Sequence, residues 1–500
     1  MASKDHKLIY EFSGSRNLYT TPLDVTDLDG DSWDYFVELE HILGYRYIQM
    51  RCNNDAASNY RRYYMQGNVS TADAGVNESE NLIYLGANNS DPIVSRIHIS
   101  GDSSSERYLD ILFSGKQTNT QIVKQSSYWK NNADNLTQLN FLSENNTTMD
   151  FTLRIYQVPK QANLDNYDLV EVVDFASRDL NANPIVFSGL DGDSDGEYLV
   201  EYKSDRYCEL NFNSDTGSKY VHQDLYNNGG GLGAINETLN SVESQRITFG
   251  IEQQSTLFKI NATSGRKRLV TFSTSEETAS GYEQQESACW WDNEVDNLTQ
   301  IDLSNDGVAG SATGQVKLYK RKSNRTIDPV PMMTVVEHDI NNVDFSNGIT
   351  ITGIEGDRID GAVKIECIGL TGSPEFRIRP NNDVGTNYVE QRLDAGGSSV
   401  SSSAITTGTS IQLCDPSSGE YASSEYWLYP KSGQNRPMLW KWNDSPDRLV
   451  ISGGWWNNSV DELSSMKIYA SNTNAITGKI RISVPKGTRQ ATGSFAVTVN

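Results

Sequence analysis

The sequence predicts an all-β protein of three tandem homologous antiparallel β-sandwich domains, jelly-roll-like in each copy. Three observations carry this: a repeat of about 160 residues, short β-branched and aromatic runs set between turn-formers, and no long apolar stripe of helical period.

The repeat is seen first at a Gly-Asp turn. LDGDSWDYFVELE (from Leu28), LDGDSDGEYLVEYK (from Leu190) and IEGDRIDGAVKIEC (from Ile354) align on Asp31, Asp193 and Asp357, at spacings of 162 and 164 residues. A second element follows in each copy: YWKNNADNLTQL, WWDNEVDNLTQI and WWNNSVDELSSM, a W-x-N-x-x-D-[NE]-L-[ST] motif on Trp129, Trp291 and Trp456. Its leucine, Leu136, Leu298 or Leu463, lies seven residues after the tryptophan every time. A third element is an alternating strand around Leu153, Val316 and Ile480. Turn-formers gather at Pro159–Asn166 and Ser323–Pro331, which sets the expected domains at 1–163, 164–328 and 329–500, the last with a C-terminal extension holding a strand-like run at Phe495–Val499.

Within a copy the elements read in order as strands. Tyr35–Leu39 and Tyr198–Tyr202 are aromatic and β-branched, and Ile97–Ile99, Ile247–Phe249 and Phe258–Ile260 alternate with period two. Asn227–Gly231 and Gly396–Ser403 have the composition of hairpin loops.

Composition narrows the function. Lys and Arg number 42 against 65 Asp and Glu, a net charge of −23, which argues against a nucleic-acid binder or a membrane-surface protein, since both want basic patches. With 10% aromatic residues the chain is expected to be folded, not disordered. No apolar run approaches the roughly 18 residues of a spanning helix, and MASKDHKLIYEF has no apolar signal core, so synthesis in a cytosol is expected, without the ordinary secretory route or membrane insertion. Five scattered cysteines, Cys52, Cys208, Cys289, Cys367 and Cys414, form no zinc spacing and read as buried thiols.

Candidate chemistry is sparse. Asp191, Asp193 and Asp195 with Gly196 open like a calcium loop, but the twelfth position is Tyr202, and the other copies diverge to Trp33 and Ile359. A polar turn entering the first strand of the repeat explains all three copies without metal. Each motif tryptophan reads as a core residue. In the doublets Trp290-Trp291 and Trp455-Trp456 strand neighbours face opposite sides, so Trp290 and Trp455 are the expected surface residues and candidate ligand contacts. No histidine recurs across the copies, no HExxH or nucleophile elbow is present, and the Gly229–Gly233 run lacks the Lys-[ST] of a phosphate loop. A non-enzymatic protein without a cofactor is expected.

The Trp-Asn-Asp-Leu-Thr motif followed by a Gly-headed strand, as in Gly314–Tyr319 and Gly478–Ile482, resembles a module of tailed-bacteriophage virion proteins. The first copy matches at Asn135–Leu139 and Leu153–Tyr156. Gln157 and Lys320 stand where the module has Gly, and Ser483 where it has Tyr. The resemblance covers the last third of each copy. It implies a place on the exterior of a phage particle, with capsid or other virion proteins as partners, as capsid decoration or as a head or tail appendage. Three fused copies then mimic a trimer on a threefold site. A receptor- or glycan-binding module of a tail or head fibre, contacting host surface glycans through Trp290 or Trp455, is the alternative.

Overall fold

The computed structural model describes residues 7–43, 48–67, 72–86, 93–99, 107–116, 120–131, 133–159, 167–227, 232–243, 251–265, 267–278, 281–305, 311–321, 332–359, 361–372, 375–415, 421–433, 435–444, 448–485 and 495–499. The expected connections at 160–166 and 323–331, the run at 247–249 and the glycines at 229–231 lie outside these residues, as do the expected boundaries.

Alternating side chains and turn-formers make nearly everything described a strand, and every pairing is antiparallel. The first large sheet runs, edge to edge, Lys7–Arg16, Met149–Pro159, Trp33–Leu43, Ile93–Ile99, Arg107–Lys116, Thr120–Trp129, Tyr60–Gly67 and Ala72–Glu80. Against it lies a small sheet of Leu23–Val25, Leu139–Ser143, Ile48–Cys52 and Ile83–Gly86. The same strand order recurs for residues Tyr167–Arg321 and again for Met332–Pro485, so the chain forms three sheet pairs. In each, the first strand pairs with the last: Phe12 opposite Leu153, Val173 opposite Val316, His338 opposite Ile480.

Each pair is a sandwich with its own apolar core. Leu23, Met50 and Phe141 of the first small sheet pack with Val37, Ile97 and Leu153 of the large one, and the other two pairs repeat the pattern. The third small sheet has a fifth strand, Ala496–Val499, beside Ile349–Thr352. The first alternating strand is thus entered by a short turn in every copy, which takes helical form at Gly192–Asp195 and Gly356–Arg358. No helix among the described residues is long and apolar enough to cross a membrane.

A further apolar cluster belongs to no single pair. It joins Met65, Val94 and Ile122 to Leu225, Ala288 and Trp290 and to Leu393, Leu439 and Ile451, so part of each large sheet is covered on both faces. Strands Tyr60–Gly67, Tyr220–Asn227 and Tyr388–Gly396 touch one another in all three combinations. Met65, Leu225 and Leu393 each stand five residues after the tyrosine that opens its strand, so equivalent side chains meet in this shared core.

Candidate functional site: the repeated Trp turn and the shared core

The two recurring motifs are bonded to each other. The Gly30 N–H donates to the Leu136 carbonyl at 2.9 Å, Gly192 to Leu298 at 2.9 Å and Gly356 to Leu463 at 3.0 Å. The Asp31 and Asp193 N–H groups donate to Asn135 and Asn297 Oδ1, both at 3.0 Å, and the Asp357 N–H reaches Glu462 Oε1 at 3.4 Å. The carboxylates themselves are exposed. Leu136, Leu298 and Leu463 are wholly buried and anchor the turn in the core.

The motif tryptophans are buried, as a core role requires. Each indole N–H donates to a carboxylate: Trp129 to Asp55 (2.8 Å), Trp291 to Asp215 (3.0 Å), Trp456 to Asp383 (2.7 Å). Burial works against ionisation of these acids, but the indole and neighbouring donors outweigh it and hold all three carboxyls below their ordinary value. Over the face of each ring sits a buried arginine, Arg107, Arg268 or Arg436, at 4.6, 4.7 and 4.6 Å from the centroid. Its guanidinium donates to two carbonyls of the following turn, those of Asn131 and Asp134, Asn293 and Asp296, or Asn458 and Asp461.

Sequence reasoning missed these arginines and acids. The acids carry a readable signal, since N-x-D recurs as Asn53–Asp55, Asn213–Asp215 and Asn381–Asp383. Asn53, Asn213 and Asn381 take positive φ (51°, 53°, 49°), and each side-chain oxygen accepts two backbone N–H groups after the motif leucine. The arginines recur without a local motif or constant spacing.

Asp191, Asp193 and Asp195 turn to different partners. Asp191 accepts from the Ser194 N–H and Asn297, Asp193 from the Ser264 N–H, and Asp195 from the Tyr198 hydroxyl and Lys320. Among the described residues no three His, Cys, Asp or Glu side chains are grouped to hold a metal ion. The carboxylates instead fasten the polar turn that enters the strand.

Trp290 and Trp455 depart from expectation. They do face away from Trp291 and Trp456, yet they are only 1% and 4% exposed, so neither is a surface contact. The second face of the large sheet is covered at this point: Trp290 packs in the core shared by the three units.

That core also holds buried ion pairs between units. Glu286 meets Lys124 at 2.8 Å and Lys441 at 2.5 Å, one cation from each of the other two sheet pairs. Burial raises the Glu286 carboxyl, but the two ammonium charges outweigh it and bring it down to about 2. Lys259 similarly crosses to Glu425 and, at 3.3 Å, Glu366 of the third unit, where Arg481 of that same unit also reaches Glu366 at 3.3 Å. Backbone approach is close as well. A Cβ on Gly67 would lie 3.0 Å from the Arg392 carbonyl, and at the equivalent position Asn227 donates to the Tyr64 carbonyl at 3.1 Å. One contact therefore repeats from the third unit to the first and from the first to the second.

All five cysteines are buried and none forms a disulfide, and burial pushes the Cys52 and Cys367 thiols up to about 12. Thiols held so far from ionisation are poor nucleophiles.

No protein-family model and no curated protein matches the sequence. Two solved structures show faint likenesses. A T=1 Penaeus vannamei nodavirus structure shares 8% identity over 63% of this chain and all of that one, with a TM-score of 0.11. Pseudomonas aeruginosa OccK7 shares 5% over 87% of this chain and 99% of that one, also at 0.11. Scores this low carry no argument about fold or function.

Proposed function

We propose that this chain is a non-enzymatic structural protein of a tailed-phage particle exterior, a decoration protein in which three tandem jelly-roll-like domains stand in for a trimer. The observation that carries the reading is the shared core, in which equivalent strands of three homologous units meet and one contact recurs from unit to unit. Three equivalent surfaces related about one axis suit a threefold or quasi-threefold position on an icosahedral shell. Two further features support it. The repeated motifs hold turns together and present no reactive group, and a charge of −23 keeps an external protein solvated and away from packaged DNA.

The glycan-binding alternative drew on Trp290 and Trp455 as surface residues. Their burial removes the observation that favoured it.

The test is deletion and add-back. Particles of the phage encoding the chain, made without it, should lose heat stability and recover it when the purified chain rebinds expanded shells. Unchanged stability together with no rebinding would contradict the proposal.

A further inference from the structure

Isolated exposed apolar side chains are ordinary on a protein surface. Recurrence at an equivalent, rigidly held position is not. Four residues after each motif tryptophan stand Ala133, Val295 and Val460. Val295 and Val460 are 85% and 84% exposed, the two most exposed large apolar residues described, and Ala133 is exposed too.

The turn that presents them is fixed. The N–H groups of Ala133, Val295 and Val460 donate to Asn131, Asn293 and Asn458 Oδ1 at 3.0, 3.1 and 3.1 Å. The arginine described above pins the same turn from beneath, so little side-chain or loop freedom is lost when the tip is covered. Each turn directly follows the strand that ends at its tryptophan, which places the three tips at the corresponding end of three equivalent sheets. Carboxylates stand within two residues of them in the chain: Asp134 in the first unit, Glu294 and Asp296 in the second, Asp461 and Glu462 in the third, all exposed.

We infer that these three tips form a docking face for a protein surface that repeats an apolar socket rimmed by Lys or Arg about a threefold axis. The inference rests on the exterior-particle reading and names the surface by which the chain would sit there. The apolar tip fills the socket, and the neighbouring carboxylates answer the basic rim. The third unit adds Val384, 65% exposed, from the loop whose Asp383 holds Trp456, so it supplies the largest apolar contact.

The experiment adds full-length chain to particles of the encoding phage made without it, and measures the amount that sediments with them. Val295→Asp with Val460→Asp should weaken retention about tenfold or more, with the melting temperature unchanged because both side chains lie in solvent. The milder Val295→Ala with Val460→Ala reads the same contact if the charged pair folds poorly, and should give a smaller loss in the same direction. Val186→Asp, 46% exposed on a small sheet, is the control and should bind as wild type. Raising salt should weaken wild-type binding. Wild-type retention of both double variants, or equal loss in Val186→Asp, would overturn the docking face and leave the exterior reading standing. A wild-type chain that neither occurs in the particles nor binds them would overturn both.

Discussion

Glu286 shows how much one residue decides. It is 2% exposed and answers one cation from each of the other units, so its loss takes this charge from Lys441 and leaves Lys124 with Asp110 alone. Glu286→Gln should cost about 3–5 kcal/mol in denaturant unfolding. Its carboxyl is held down in the folded state, so its contribution is complete above the unfolded value near 4 and fades as pH falls toward about 2. The wild-type protein should therefore lose more stability between pH 5 and pH 2 than Glu286→Gln does. Parallel curves would place the cations' partner elsewhere. Arg268→Lys tests the Trp clamp: an ammonium cannot stack flat on Trp291 while donating to the Asn293 and Asp296 carbonyls. A loss of about 2–3 kcal/mol with quenched-to-altered tryptophan emission is expected. These residues divide by legibility. Trp129, Trp291 and Trp456 were readable because the same role keeps the same residue in each copy. Lys124, Glu286 and Ile451 occupy one equivalent position, five residues before each tryptophan, and share no chemistry. A contact between copies selects complementary residues, so looking for repetition passes over them.

At the scale of elements, strand period placed strands such as Tyr35–Leu39 and Phe258–Ile260, but turn composition misplaced Gly396–Ser403, where only the two residues after Gly396 turn and Ser399–Gly408 is a strand paired with Tyr388–Gly396. The calcium-like opening at Asp191 was harder to read. Carboxylates at alternate positions suit either a cation or a turn capped by its own N–H groups, and only the partners distinguish them. The Gly-headed strand has a steric reason: a Cβ on Gly314 would stand 2.2 Å from the Lys203 carbonyl of the neighbouring strand. Gly314→Ala must push the two strands apart there. It should destabilise the second unit by about 1–3 kcal/mol, seen as faster hydrogen exchange in Glu197–Ser204 and Ala312–Arg321. Unchanged exchange in both strands would mean the sheet relaxes without cost.

At the scale of the whole molecule, periodicity tells which way a side chain points but not what lies opposite. That is why Trp290 and Trp455 read as surface residues, and why the shared core was invisible until three sheets were seen to meet. Trp290→Ala should open a cavity between units and cost about 3–5 kcal/mol. Because the units share that core, calorimetry should show one cooperative transition in the wild type and a lower, still single one in the variant. Three separable transitions would mean that the units stand independently. Such a body, with equivalent surfaces turned outward around a common core, is what gives the exterior-particle proposal its geometry. The most direct measurement of that proposal is the position and copy number of the chain in images of the particle. The account predicts about one chain at each threefold or quasi-threefold site, its three units aligned with the axis. A few copies confined to one vertex would contradict it and place the chain at the neck or tail.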